Sequence, residues 1–198
     1  MELSVRQIML AKEKFCNVQT YFLYFFLLLA ANSLASNKEK IITNLNDTKN
    51  LNFEFEQNIN GKIEKGNCVI EYPKKIYCEY DLSNRKILVS NGKSLIIKTI
   101  SSYYKYPLDK TPLNLILDKS FLIEKINELS ERIVDENYIN FTINEKDNEI
   151  KIFFDVDTFN LIGWQNTDIY QNFNITFFSS IRKNEFISKN LFKLPSQN

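Results

Sequence analysis

Leu51-Asn52-Phe53-Glu54-Phe55-Glu56-Gln57-Asn58-Ile59-Asn60-Gly61 places apolar residues at 51, 53, 55 and 59 among polar ones and ends on Asn-Gly. Successive side chains of a strand point to opposite faces, so this run predicts a half-buried β-strand. Asn-Gly supplies the positive φ angles of a tight hairpin turn, and the chain is expected to fold back at once.

The same period continues downstream. Val69 to Tyr72 and Ile76 to Tyr80 flank Pro73-Lys74-Lys75, and Ile87 to Val89 and Leu95 to Ile100 flank Ser90-Asn91-Gly92-Lys93, which predicts two more hairpins. Ser102 to Leu108 is aromatic and strand-like. Thr111-Pro112 then opens a helical pattern, with Leu113, Ile116 and Leu117 on one face and Phe121, Leu122, Lys125, Ile126 and Leu129 on a second. Strands resume with Ile139, Phe141 and Ile143, turn at Lys146-Asp147-Asn148, and return through Ile150, Ile152, Phe154 and Val156. Leu161 to Trp164, Thr167 to Tyr170, Phe173 to Phe178 and Phe186 to Leu191 complete about ten strands, with a helical pair between the fifth and the sixth.

Upstream, Ile41, Ile42 and Leu45 recur at helical spacing within Asn37 to Asp47, which predicts one short amphipathic helix. So long an antiparallel series must manage its edges, and curling is the common way. The expected architecture is mainly β with a few helices: an incomplete, open antiparallel β-barrel with an α-helical lid. Residues 36–198 are expected to form one domain.

The first 35 residues read differently. Basic Arg6, Lys12 and Lys14 precede an unbroken apolar run from Tyr21 to Ala31, then Asn32-Ser33-Leu34-Ala35. This is the pattern of a secretory leader, expected to be cleaved after Ala35, with Met1 or Met9 as the start. The run is too short for the roughly 20 apolar residues that cross a bilayer. The expected compartment is the periplasm. No cysteine follows the cleavage site directly, so the mature protein is expected to be soluble rather than lipid-anchored at its N-terminus.

Removal of the leader takes away Arg6, Lys12, Lys14, Glu2 and Glu13 and leaves a formally neutral chain. Nucleic-acid binding normally needs a clustered basic excess, and none is present. Cys68 and Cys78 remain, an even number in an oxidising compartment. If the hairpin turns at Pro73 they stand directly opposite, on the face that carries Ile70, Tyr72, Ile76 and Tyr80. A disulfide is therefore expected, worth about 2–3 kcal/mol for so short a loop.

The sequence has no histidine, which removes Ser-His-Asp and Cys-His pairs and histidine-ligated zinc. There is no GxSxG elbow, no phosphate-binding loop and no dinucleotide fingerprint. Glu54, Glu56, Glu71 and Glu79 lie in strands but alternate with apolar residues, the pattern of an outward face in water. No catalytic residue, metal site or cofactor is expected. The abundant Phe and Tyr fit a well-filled barrel as well as a hollow one, and strands alone do not separate the two.

One ordered set of features adds to this. Phe53-Glu54-Phe55-Glu56-Gln57, Gly66, Tyr72-Pro73, Tyr80-Asp81, Ile87 to Leu95 with Ser90-Asn91-Gly92, and Thr111-Pro112-Leu113-Asn114-Leu115-Ile116-Leu117 together resemble the LolA family over most of residues 38 to 120. The tail resembles it more weakly through Phe173 to Phe178 and Leu191-Phe192-Lys193-Leu194-Pro195. The resemblance implies an open barrel whose cavity shelters acyl chains. It implies acylated lipoproteins as cargo, an inner-membrane ABC exporter as donor and an outer-membrane lipoprotein as acceptor. Phe53, Phe55, Ile70, Tyr72, Ile76, Tyr80 and Trp164 are the expected cavity residues. Leu113, Ile116, Leu117, Leu122 and Ile126 are expected in the lid, and the protein is expected to act as a monomer. Where the family places arginine before the hairpin proline this chain has Tyr72, whose hydroxyl is left to donate to a lid carbonyl. A lipid-binding sensor or regulator of the same fold, and a secreted structural β-protein with a filled core, remain the alternatives.

Overall fold

The computed structural model describes residues 35–134, 136–145, 148–167 and 172–197. The fold occupies the unit Ser36–Asn198. The expected leader lies outside the described residues except for Ala35, as does Lys146-Asp147 of the expected turn. No described helix is long and apolar enough to cross a membrane.

Helix α1 (Asn37–Asp47) has the expected bounds. Ser36 accepts from the Glu39 amide while the Glu39 carboxylate takes the Ser36 amide, a capping box that satisfies two otherwise unpaired donors. Ile41 and Leu45 turn inward. Among the described residues eleven strands follow in one antiparallel sheet: β1 (Asn50–Ile59), β2 (Lys62–Glu71), β3 (Lys75–Tyr80), β4 (Ile87–Asn91), β5 (Ser94–Lys98), β6 (Tyr103–Pro107), β7 (Arg132–Val134), β8 (Tyr138–Glu145), β9 (Asn148–Asp155), β10 (Leu161–Thr167) and β11 (Phe173–Lys183). Between β6 and β7 stand a short 3-10 turn, helix α2 (Leu113–Ile116) and helix α3 (Lys119–Glu128).

The spatial order β6-β5-β4-β3-β2-β1-β11-β10-β9-β8-β7 makes β6 and β7 the two edges, so the sheet is not closed. The helices join these edges in sequence. Asn60 and Gly61 have φ of 49° and 91°, the left-handed pair that a tight hairpin needs. That turn holds β1 and β2 in register from Asn50 opposite Glu71 to Ile59 opposite Lys62, so β2 starts seven residues before the expected Val69.

Two expectations are corrected and one strand is added. Phe186 to Leu191 is not a strand: the chain there is irregular, and Phe186 is 96% exposed. Each strand has two hydrogen-bonding edges, and β1, which Asn184 and Glu185 approach at Asn50, already pairs with β2 and β11. Arg132–Val134, unmarked by any strong alternation, pairs with β8 as an edge strand. The helices follow the sixth strand rather than the fifth, because the aromatic segment from Tyr103 pairs fully with β5. Of the expected strand Thr167 to Tyr170, Thr167 ends β10 and the rest lies outside the described residues.

The concave face has two regions. Around β8 and β9, Ile139, Phe141, Ile143, Ile150, Ile152 and Phe154 are all at most 1% exposed and belong to one core with Ile41, Leu45, Leu122 and Ile126 of α1 and α3. Asn44 of α1 donates to the Thr158 carbonyl in the β9–β10 turn, and Lys125 of α3 lies 4.0 Å from Glu145 at the end of β8. The helices fill this region. The other region, along β1–β6, is where space remains.

Candidate functional site: a lidded cavity on the concave face

A cavity of about 190 Å³ opens among β1–β6, β10, β11 and the start of α2. Alternation decides its wall. Phe53 and Phe55 of β1, Cys68 of β2, Ile76, Cys78 and Tyr80 of β3, Leu88 of β4, Leu95 and Ile97 of β5 and Trp164 of β10 all face it. Register explains the grouping: Phe53 stands opposite Cys68, Cys68 opposite Cys78, Cys78 opposite Leu88, and Leu88 opposite Ile97, one inward row across five strands.

Aromatic rings stiffen the wall. Phe53 stacks on Phe178 with centroids 3.9 Å apart, and Trp164 meets Phe178 edge-on at 4.9 Å. Phe55 meets Tyr80 edge-on at 4.9 Å. Gly66 makes this possible: a Cβ there would lie 2.9 Å from both the Phe55 ring and Tyr80 Cα, and closer still to the Glu79 carbonyl. Cys68 and Cys78 form the expected disulfide across β2 and β3, with Cα atoms 4.1 Å apart. The disulfide is itself part of the wall.

Of the residues expected to build the cavity, Phe53, Phe55, Ile76, Tyr80 and Trp164 border it. Ile70 does not, although it is fully buried in the same core. Tyr72 does not either, because it lies in the β2–β3 turn rather than in a strand. Of the expected lid residues Leu113 borders the cavity, beside Thr111 and Pro112, while Ile116, Leu117, Leu122 and Ile126 are buried in the core beneath the helices.

The expected hydrogen bond from Tyr72 to the lid is not made: its hydroxyl is buried without a partner, and burial pushes its pKa up. The Tyr72 amide instead donates to Lys49. The hairpin holds the helices two residues further on. The Lys74 amide donates to the Leu117 carbonyl at 2.9 Å, and its ammonium reaches Asp118, the cap of α3, at 3.1 Å. Lys74 has φ 65°, and Ser90 donates to its carbonyl at 3.0 Å.

One end of the cavity is polar, which the sequence reading missed. Gln57, Asn166, Asn174 and Thr176 line it with Lys86 and the Tyr80 hydroxyl. Tyr80 donates to Gln57 Oε1 at 3.3 Å, and Gln57 Nε2 donates to Asn174 at 2.9 Å and Thr176 at 3.2 Å. Behind them Glu64, 3% exposed, accepts from Lys62 at 2.6 Å and from Lys86 at 2.5 Å. Burial works to raise the Glu64 pKa, but the hydrogen bonds and charges of Lys62 and Lys86 outweigh it and hold the carboxyl below its ordinary range. The signal was present: Glu64, Gly66, Cys68 and Ile70 share a phase, so a period of two carried back from Cys68 points Glu64 inward. The four glutamates read as outward differ: Glu54, Glu56 and Glu79 are exposed and Glu71 half-buried. Among the described residues no group of three or more His, Cys, Asp or Glu side chains is placed to hold a metal ion.

An open antiparallel barrel, helices over its concave face and an apolar cavity beneath their first turn define a lidded binding fold. The sequence profile of the outer membrane lipoprotein carrier protein LolA matches residues 46–195, and the chain belongs to the LolA family. No curated protein matches it. Among solved structures it is similar to an uncharacterised conserved protein of Thermus thermophilus, at 7% identity and a TM-score of 0.49, over 82% of this chain and 96% of that one. A LolA-superfamily protein of Nitrosomonas europaea is similar at 8% identity and a TM-score of 0.42, over 80% and 99%. The Mycobacterium tuberculosis lipoprotein LppX is similar at 8% and 0.42, over 77% and 96%.

Proposed function

We propose that this chain is a periplasmic carrier that shelters the acyl chains of lipoproteins in the cavity along β1–β6 and moves them between membranes. The observation that carries the reading is the hollow itself: in a member of the LolA family, Phe53, Phe55, Ile76, Leu88, Leu95, Ile97 and Trp164 surround open space, whereas the inward residues of β8 and β9 are buried under the helices. Each CH₂ of an acyl chain left in water costs roughly 0.8 kcal/mol, so a triacylated cargo needs such a surface to cross an aqueous space. The donor in this reading is an inner-membrane ABC exporter and the acceptor an outer-membrane lipoprotein. The chain works without a cofactor and without catalysis, as a monomer built from residues 36–198 after loss of the leader.

The size of the cavity adds a mechanism. An apolar cavity of roughly 150 Å³ admits benzene, and sites that enclose a drug-sized ligand run to about 300–1,000 Å³. At about 190 Å³ this one takes the end of a chain, and a long chain requires Pro112 and Leu113 to move away from the sheet. The closed helices then compete with cargo for the same apolar surface, which keeps affinity moderate and release feasible.

Titration of the purified protein with a fluorescent fatty-acyl probe tests the reading. Saturable uptake, followed by transfer of a bound triacylated lipopeptide to acceptor vesicles, is the expected result. Saturable uptake without transfer points to a sensor of the same fold. Absence of saturable binding removes the carrier and leaves a structural β-protein, because a core at ordinary packing density has no room for an alkyl chain.

A further inference from the structure

The cavity is amphipathic, and its polar end is charged. Glu64 gives one carboxylate oxygen to Lys62 and the other to Lys86, so two ammonium groups meet one carboxylate. The cluster carries a net positive charge. Its two lysines are not equivalent: Lys62 is 70% exposed and points to solvent, whereas Lys86 is 16% exposed, borders the cavity and holds its ammonium 4.0 Å from the centroid of the Tyr80 ring. A buried carboxylate stripped of its partners is strongly destabilising. Lys62 removes that obstacle. It neutralises Glu64 from outside, so Lys86 can exchange Glu64 for an anion that arrives from within the cavity. Gln57 and Asn174 line the same cavity, and the Tyr80 hydroxyl donates to Gln57 there.

We propose that the site also takes free amphiphiles with an anionic head, a carboxylate or a phosphate monoester. The chain lies along Phe53, Phe55, Ile76 and Leu88, and the head pairs with Lys86 beside Gln57. This inference rests on reading the cavity as an acyl site and names the headgroup chemistry that its polar end selects. Charge-assisted hydrogen bonds are the strong ones, and shielding from water by the apolar wall strengthens them further.

The test is calorimetric titration of the full chain with dodecanoate, monododecyl phosphate and 1-dodecanol, each below its aggregation limit. The expected result is that at least one anion binds roughly tenfold more tightly than the alcohol. The anion that leads identifies the head. In Lys86→Met that preference ratio falls to near one. In Glu64→Gln, which leaves Lys86 without a competing charge, the ratio widens, and this arm decides if Lys86→Met fails to fold. Equal binding of all three probes by the unaltered protein, or a preference unchanged in Glu64→Gln, overturns the inference and leaves the acyl site standing. Binding of none of them removes the acyl reading and the inference together.

Discussion

Lys74 holds its ammonium 3.1 Å from Asp118 while its amide donates 2.9 Å to the adjacent Leu117 carbonyl. One residue at a hairpin tip thus fastens the junction of α2 and α3 to the sheet. Both side chains are about a third exposed, so the ion pair alone is worth only about 0–1 kcal/mol. Asp118 has a second task, since its carboxylate also accepts from the Phe121 amide as the N-cap of α3.

Lys74→Met is therefore expected to cost less than about 1 kcal/mol, and Asp118→Ala about 1 kcal/mol more through loss of the cap. Urea unfolding of both variants checks this. Equal losses would show that the cap contributes nothing. In stopped-flow mixing, acyl-probe uptake by Lys74→Met is expected to be faster than in the unaltered protein.

Gly66 is where the backbone of β2 runs beneath the Phe55 ring. Gly66→Val is expected to destabilise the protein by about 1–3 kcal/mol, because the new side chain meets the Glu79 carbonyl and Tyr80 Cα, which are backbone and cannot swing aside. Thermal unfolding of this variant beside Asn67→Val, an outward neighbour, separates overpacking from any change in strand propensity.

Glu64 sets a pH dependence. Its carboxyl pKa is lowered in the folded state relative to the ordinary 4.5, so its contribution is fully present above about that pH and fades as pH falls through the folded value. At neutral pH Glu64→Gln is expected to be less stable by about 1–3 kcal/mol, and the two proteins to converge in acid. Denaturation midpoints recorded from neutral pH down through pH 4.5 give the comparison. A constant gap would mean that the carboxylate contributes nothing that depends on its charge.

The disulfide closes a loop of sequence separation 10 within the cavity wall. Replacing both Cys68 and Cys78 by Ala is expected to lower stability by about 2–3 kcal/mol in the absence of reductant. Adding reductant is expected to change the parent and leave the variant unaffected. A thiol titration of the unreduced, unfolded parent gives the direct control, with neither Cys68 nor Cys78 reacting.

Trp164 is the sole tryptophan of the chain, and it borders the cavity. A brominated fatty acid is expected to quench its fluorescence saturably, and Trp164→Phe to fold with the signal gone. Quenching no stronger than that of free tryptophan in solution would place the ligand elsewhere.

Much of this fold was local enough to read directly. The phase of Phe53 and Phe55, the Asn60-Gly61 turn, the span of α1 behind Ser36, and the pairing of Cys68 with Cys78 about Pro73 each depend on neighbours within a few residues. Period and turn chemistry act over that range. Inward direction was legible for the same reason. Whether an inward residue borders space or fills it was decided only in three dimensions. Ile70 and Ile76 stand opposite each other on β2 and β3, yet Ile76 borders the cavity and Ile70 does not. The polar end is likewise tertiary: Gln57 meets Thr176 across 119 residues, and Glu64 meets Lys86 across 22, through strand order that no single stretch encodes. Side-chain direction follows from the backbone pleat. Cavity and charge cluster follow from which strands become neighbours, and that is set by the packing of the whole sheet against its helices.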